Sequence, residues 1–171
     1  HPLRIAPGIG TIAINCFTYH DTDIRPYNEL SISIPLSFKK RTIVPSAGLL
    51  SCLIRNEFHA YIHHLPVTTK IALDAGVDIY NYPKFIAEID FSDEQNRTLI
   101  NLKEEEEFIL QIEADKIPAN TQKTIRYVTY PVKDNSAQHA DILMNAQQFG
   151  QSFNPNSMKI KVKCRFCKST E

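Results

Sequence analysis

Net charge is the first thing this sequence lacks: nineteen Lys and Arg stand against nineteen Asp and Glu. No global field draws such a surface onto a phosphate polymer or anionic lipid, so the composition argues against nucleic-acid binding. Long hydrophobic runs are missing too, since no segment approaches the roughly eighteen uninterrupted apolar residues of a membrane span. Five glycines and ten prolines are too few and too scattered for a low-complexity or collagen-like chain, and no fixed-period repeat is present. The four cysteines, Cys16, Cys52, Cys164 and Cys167, show no disulfide-framework spacing, and His1-Pro2-Leu3-Arg4 has no apolar signal core. A reducing, cytoplasmic setting is expected. Cys164-Arg165-Phe166-Cys167 has the spacing of half a zinc site or of a redox pair, but no second pair completes it, so neither a metal nor a cofactor is expected. What is present is ordinary: 43% hydrophobic and 22% charged residues over 171 positions, enough for one real core and one domain over 1–171.

The dominant period is two, the signature of pleated strands with one buried face. In Leu30 to Phe38, Leu30, Ile32, Ile34, Leu36 and Phe38 share one face, while the serines and Pro35 take the other. Pro35 suggests an edge or a bulge. Alternation recurs in Thr11 to Tyr19, Glu57 to His63, Phe85 to Phe91, Phe108 to Ala114, Thr124 to Tyr130 and Met158 to Phe166. In the last of these Lys159, Lys161, Lys163 and Arg165 form a basic stripe, read as a solvated outer face. A short helix is expected after Thr68 or Thr69, either of which can cap the first-turn amides. Ile71, Ala72 and Ala75 supply its apolar stripe, and Gly76 can stop it in a left-handed conformation. A second helix is expected around Ala137 to Met144. Glu104 to Glu107 are four carboxylates that repel one another in a dry site, so they read as a solvated turn between strands. The fold class is α+β, predominantly antiparallel β, with short peripheral helices.

Chemistry concentrates on Lys84. Tyr80, Tyr82 and Pro83 precede it and Phe85 and Ile86 follow it, which places its amine among apolar groups. Burial disfavours the charged form of a lysine. The neutral amine attacks a ketone to give an iminium ion, whose nitrogen accepts the electron pair released when an adjacent carboxylate leaves as CO2. The bland alternative is a packed stem with its charge in solvent, the common fate of a lysine at a strand start. Elsewhere Glu57, His59, Tyr61 and His63 share one strand face. An i, i+2, i+4 set spans about 13 Å, too far for one metal ion, so Glu57 or His59 is expected at the mouth of a barrel or on a solvated face. There is no Gly-x-Ser-x-Gly, phosphate loop or dinucleotide fingerprint.

Three features together resemble the acetoacetate decarboxylase family: Gly76 eight residues before Lys84, the turn Tyr82-Pro83-Lys84, and Tyr27-Asn28-Glu29 running into an alternating strand. The resemblance extends loosely from Leu3 to Ser157, through His20-Asp21-Thr22 and Phe149 to Pro155. It implies a β-barrel or cone, with Lys84 as the Schiff-base lysine and Glu29 as the carboxylate beside it. Lysine activation is this family's known chemistry, so the mechanism is implied by the resemblance rather than derived from composition. Tyr27, Tyr82, Phe85 and Glu57 are expected to meet the substrate, a small keto acid. Phe85 stands where the family has a second lysine, Gly76-Val77-Asp78 where members often have Gly-Arg-Glu, and Asn15 near the position of a further carboxylate. The family's N-terminal strand, which carries a substrate-binding arginine, would fall before the chain's first residue; either those residues are absent from this sequence or the role has moved, with Arg25 as the substitute. Three outcomes stay open: a decarboxylase, a Schiff-base aldolase or dehydratase that keeps its CO2, or a non-catalytic small-molecule-binding module. Apolar edge strands favour a homo-oligomer.

Overall fold

The alternating segments form two facing sheets in the computed structural model, which describes residues 1–37, 47–133 and 136–163. The chain begins with a small hairpin, β1 (Arg4–Ala6) and β2 (Ile9–Gly10), followed by β3 (Ala13–Tyr19), β4 (Tyr27–Pro35), α1 (Ala47–Arg55), β5 (Glu57–Val67) and α2 (Lys70–Asp78). It continues through β6 (Lys84–Ile86), β7 (Glu88–Asp93), β8 (Arg97–Glu104), β9 (Glu107–Asp115) and β10 (Thr121–Thr129). The last elements are β11 (Val132–Lys133), β12 (Ser136–Ala137), β13 (Ala140–Phe149) and β14 (Met158–Val162). The larger sheet has the order β13-β10-β5-β4-β3, with β6 beside β5; the smaller has the order β14-β9-β8-β7. Pairing is mostly antiparallel, but β10 and β6 both run parallel to β5, sharing one of its edges at Glu57 to Ala60 and at Leu65 to Val67. Both sheets are open among the described residues, so the expected barrel or cone is not closed.

One apolar core lies between the sheets. Leu30 meets Ala87, Ile89, Ile100, Leu102, Leu110 and Ile112, with Ile14, Cys16, Ile32 and Phe85 packed around them. These are alternate residues of successive strands, which is how a pleated sheet buries one face. The chain switches sheets at Ala87, so the expected strand Phe85 to Phe91 is two short ones, β6 in the larger sheet and β7 in the smaller. Glu105 and Glu106 take positive φ in the turn between β8 and β9, as the carboxylate run suggests. No helix among the described residues is long and apolar enough to cross a membrane.

Three readings need correction. The segment expected to be helical from Ala137 to Met144 lies in β12 and β13, because Ala140 to Phe149 pairs along β10 and tertiary pairing overrides helix-forming composition. Helix α1, with Leu49, Leu50, Leu53 and Ile54 at helical spacing, was not anticipated, nor was β8. Ser31 and Ser33, assigned to the outer face of β4, are 3% and 0% exposed. That face is covered too, so β4 is buried on both sides. Phe38 and the Cys164 to Cys167 pair lie outside the described residues. Lys159 and Lys161 are exposed on β14, at the edge of the smaller sheet.

Candidate active site

The covered outer face of the larger sheet is built from cross-strand pairs. Register places Tyr19 opposite Tyr27, Phe17 opposite Glu29 and Asn15 opposite Ser31, and directly opposed side chains of an antiparallel pair project to the same side. Asn28, the middle residue of Tyr27-Asn28-Glu29, points the other way and acts as a clamp. Its side-chain amide donates to the Ile89 carbonyl at 2.8 Å, tying β4 to the smaller sheet. Its backbone N–H donates to Thr68 Oγ1 at 2.9 Å, and its carbonyl accepts from the Thr68 N–H at 3.1 Å. Glu29 is thereby held at fixed depth, flanked by Phe17 on one side and Val67 on the other.

Lys84 reaches the same face from β6, just after α2. Thr69 caps that helix by accepting from the Ala72 N–H, as its sequence suggests. The helix runs past Gly76 to Asp78, so Gly76 does not stop it. A left-handed turn at Asn81 (φ 53°) brings the chain back, and the Tyr82 N–H donates to the Gly76 carbonyl at 3.0 Å. Strand β6 then aligns Lys84 with Leu65 of β5. The reason for glycine at position 76 is steric: a Cβ there would lie 2.2 Å from Lys84 Cε and 2.3 Å from Cδ. The lysine stem lies directly on the helix backbone. That close approach, and not a helix stop, explains the eight-residue spacing from Gly76 to Lys84.

Lys84 Nζ donates to Glu29 Oε2 at 2.7 Å, and the two side chains are only 7% and 10% exposed. The amine also stands 5.8 Å from the centre of the Tyr27 ring. Both border a cavity of about 450 Å³ that Tyr19, Tyr27, Tyr80, Tyr82 and Tyr127 surround, with Ala72 and Gly76 of α2 on one wall. Among its described lining residues Lys84 is the one cation. Tyr19 stacks on Tyr27 with ring centroids 4.6 Å apart, while Tyr82 Oη and Thr129 Oγ1 share a 2.6 Å hydrogen bond. Burial, aided by the Glu29 charge, pushes the Tyr27 phenol up to about 12 and raises Tyr19 as well. Burial raises Tyr82 in the same sense. These hydroxyls therefore stay protonated, as hydrogen-bond donors, across the neutral range. A buried amine against a carboxylate, at the wall of a cavity of this size, can form a covalent imine and pass protons locally.

Of the residues singled out from sequence, the structure brings Lys84, Glu29, Tyr27 and Tyr82 together. Three it does not. Phe85 follows Lys84 on a strand, so its ring points to the opposite side and packs against the core between the sheets. Arg25 is exposed in a turn at positive φ, its N–H donating to the Thr22 carbonyl, and does not line the cavity. Glu57 lines a separate pocket of about 240 Å³ near α1, hydrogen-bonded to His59 at 2.7 Å. Among the described residues no group of three or more His, Cys, Asp and Glu could hold a metal ion. Sequence reading missed Tyr127, Thr129 and Ser31. The signal was available, because Tyr127 and Thr129 share one face of an alternating strand.

Residues 1–135 match the sequence model of the acetoacetate decarboxylase family. The chain belongs to that family. No curated protein matches it. Among solved structures, the acetoacetate decarboxylase of Legionella pneumophila is 12% identical, with a TM-score of 0.54 over 89% of this chain and 60% of that one. A second solved acetoacetate decarboxylase gives 14% identity and a TM-score of 0.56 over 91% and 62%. The enduracididine biosynthesis enzyme MppR, complexed with pyruvate, gives 9% and 0.51 over 84% and 56%. At such identities the likeness concerns the fold. The acetoacetate decarboxylase family member described here spans about three-fifths of the length of these solved relatives.

Proposed function

We propose that this protein is a Schiff-base lyase acting on a small keto acid, with Lys84 as nucleophile and electron sink and Glu29 as its proton partner. The observation that carries the reading is the Lys84 amine, 7% exposed and 2.7 Å from a carboxylate at the wall of a tyrosine-lined cavity. In the reaction the free amine adds to the ketone carbon, and loss of one water gives an iminium ion. In a β-keto acid the bond to the carboxyl carbon then breaks. CO2 departs, and the electron pair moves through the adjacent carbon to the iminium nitrogen, leaving an enamine. A proton delivered to the enamine carbon restores an iminium, and water releases the product ketone and the amine. Glu29 is placed to take the proton that Lys84 sheds before attack and to return one later. The tyrosine rings line the wall beside the charged intermediate.

The same iminium would serve an aldolase or dehydratase. That second reading is favoured where the substrate carries no carboxylate, because Lys84 is the one cation among the described lining residues. Borohydride trapping tests the shared step. With acetoacetate or pyruvate, the reduced adduct is expected on the peptide carrying Lys84 and is expected to vanish in Lys84→Ala. Assay of CO2 in the same tubes separates decarboxylation from the alternative. Reversible binding of keto acids that Lys84→Ala leaves intact, with no adduct in the wild type, would make the protein a binding module instead. A cytoplasmic homo-oligomer belongs to the same proposal; Ile142 and Leu143 on β13, an edge strand, are 41% and 64% exposed and suit a self-association surface.

A further inference from the structure

The cavity has two ends of different chemistry. Near Lys84 it is walled by stacked tyrosine rings. One strand step beyond Glu29 lies Ser31, 3% exposed, whose hydroxyl is the one buried side-chain polar atom among the described residues without a hydrogen-bond partner. Its neighbours are already engaged. Asn15, opposite Ser31 across the β3–β4 ladder, donates to Tyr127 Oη at 3.3 Å, and Tyr127 Oη lies 2.9 Å from Ser33 Oγ. Asn15, Ser31 and Tyr127 all border the cavity. A buried hydroxyl with no partner is unfavourable unless something that enters the site supplies one.

Resting on the Schiff-base reading, we propose that Ser31 is a specificity-determining residue: its hydroxyl donates a hydrogen bond to an oxygen borne on the second carbon beyond the imine carbon of the bound substrate. The spacing supports that position. Residues i and i+2 of a strand are about 7 Å apart, and Glu29, two residues before Ser31, grips the Lys84 nitrogen. An oxygen on the second carbon beyond the imine carbon stands roughly 5 Å from that nitrogen when the chain is extended, which carries it toward the serine and into hydrogen-bonding reach. The substrate class is therefore a ketone oxygenated at that carbon. A β-keto acid carries its carboxylate there, and a 4-hydroxy-2-ketone carries its hydroxyl there. An α-keto acid such as pyruvate has no oxygen at that distance. Neutral donors at this end hold the oxygen without a second cation, and fixing it orients the bond that must break relative to the iminium plane.

Two neutral ketones of nearly equal shape test the assignment: 4-hydroxybutan-2-one, and pentan-2-one, which has a methyl in place of the hydroxyl. Both are titrated against the full chain under borohydride, and the reduced adduct on Lys84 is quantified by mass. In the wild type the hydroxyketone is expected to half-saturate labelling at about three- to ten-fold lower concentration, the span of one neutral hydrogen bond. In Ser31→Ala the two ketones are expected to converge, with maximal labelling retained. The apo variant is also expected to melt no lower than the wild type, since the change deletes an unpaired buried hydroxyl. A preference that persists in Ser31→Ala, or equal half-saturation in the wild type, overturns the Ser31 assignment and leaves the Schiff base standing. No adduct on Lys84 from either ketone overturns both.

Discussion

The two faces of the larger sheet are covered by different chemistry. Toward the smaller sheet, Ile14, Cys16, Leu30 and Ile32 interdigitate with the apolar residues of β7, β8 and β9. Toward α2, the intervening residues Asn15, Phe17, Tyr27, Glu29 and Ser31 border a cavity. The strands are the same, read one residue out of phase. On the first face, burial of hydrocarbon stabilises the fold. On the second, a carboxylate, a serine hydroxyl and an amine are withdrawn from water, which opposes folding unless they are paired. The core face therefore offsets the desolvation of the cavity face, and substitutions on the two should separate stability from chemistry.

The largest effect is expected where the helix meets the lysine. Gly76→Ala inserts a methyl 2.2 Å from Lys84 Cε, a distance no relaxed structure tolerates, and 3.0 Å from Nζ. Either the lysine stem or the helix must shift, and displacement of a reacting atom by about 1 Å costs on the order of 10²-fold in rate. The rate of borohydride-trapped adduct formation should fall by about that factor. Thermal stability should fall as well, because overpacking costs about 1–3 kcal/mol, on the order of several degrees in melting temperature for a domain of this size. A variant that labels at the wild-type rate would mean that the lysine does not rest on the helix.

Gly76 also shows how far the sequence could be read. Its distance from Lys84 was legible, and so was the pairing of Tyr27 and Glu29 with the site, because a motif preserves spacing along the chain. Its physical reason was not, because a helix stop and a close packing contact leave the same letter in the sequence. Ser31 and Ser33 fail similarly. Period two tells which residues share a face, but not whether water or a helix covers it. Arg25 enters the expected site as a substitute for the family's substrate-binding arginine, and Phe85 through its place beside Lys84. A turn carries the first to the surface, and strand alternation sends the second into the core. Tyr127 and Thr129 lie more than forty residues beyond Lys84, and only the parallel pairing of β10 with β5 brings them to the cavity.

On the core face, Leu30→Ala should destabilise without touching the chemistry. Leu30 is fully buried at the centre of the cluster between the sheets, and truncation of such a residue costs about 2–5 kcal/mol. Urea unfolding should show the lower midpoint, while adduct formation on Lys84 at low temperature should match the wild type within about two-fold. Loss of labelling in a folded L30A protein would show that the two faces are mechanically coupled through β4.

The smallest effect distinguishes the faces by pH. Burial pushes the Cys16 thiol, on the core face, from its ordinary 9.0 up to about 11. Burial and the Glu29 charge push the Tyr27 phenol, on the cavity face, from 10.0 to about 12. In both cases the fold favours the neutral form. Below the ordinary value both folded and unfolded chains hold the proton, and the contribution to stability is complete. As pH rises past that value the unfolded chain releases its proton while the folded chain keeps it, so the unfolded state binds fewer protons and stability falls until the folded group itself titrates. The core face should therefore lose stability between about pH 9 and 11, and the cavity face about one unit later. Chemical denaturation at half-unit steps from pH 8.5 to 11 should show a shallower decline in Cys16→Ala than in the wild type, with the difference accumulating from about pH 9 to 11 and steepest near pH 10. Parallel declines in the two proteins would show that the thiol gains its charge as easily in the folded chain as in the unfolded one, and that the core between the sheets is open to water at Cys16.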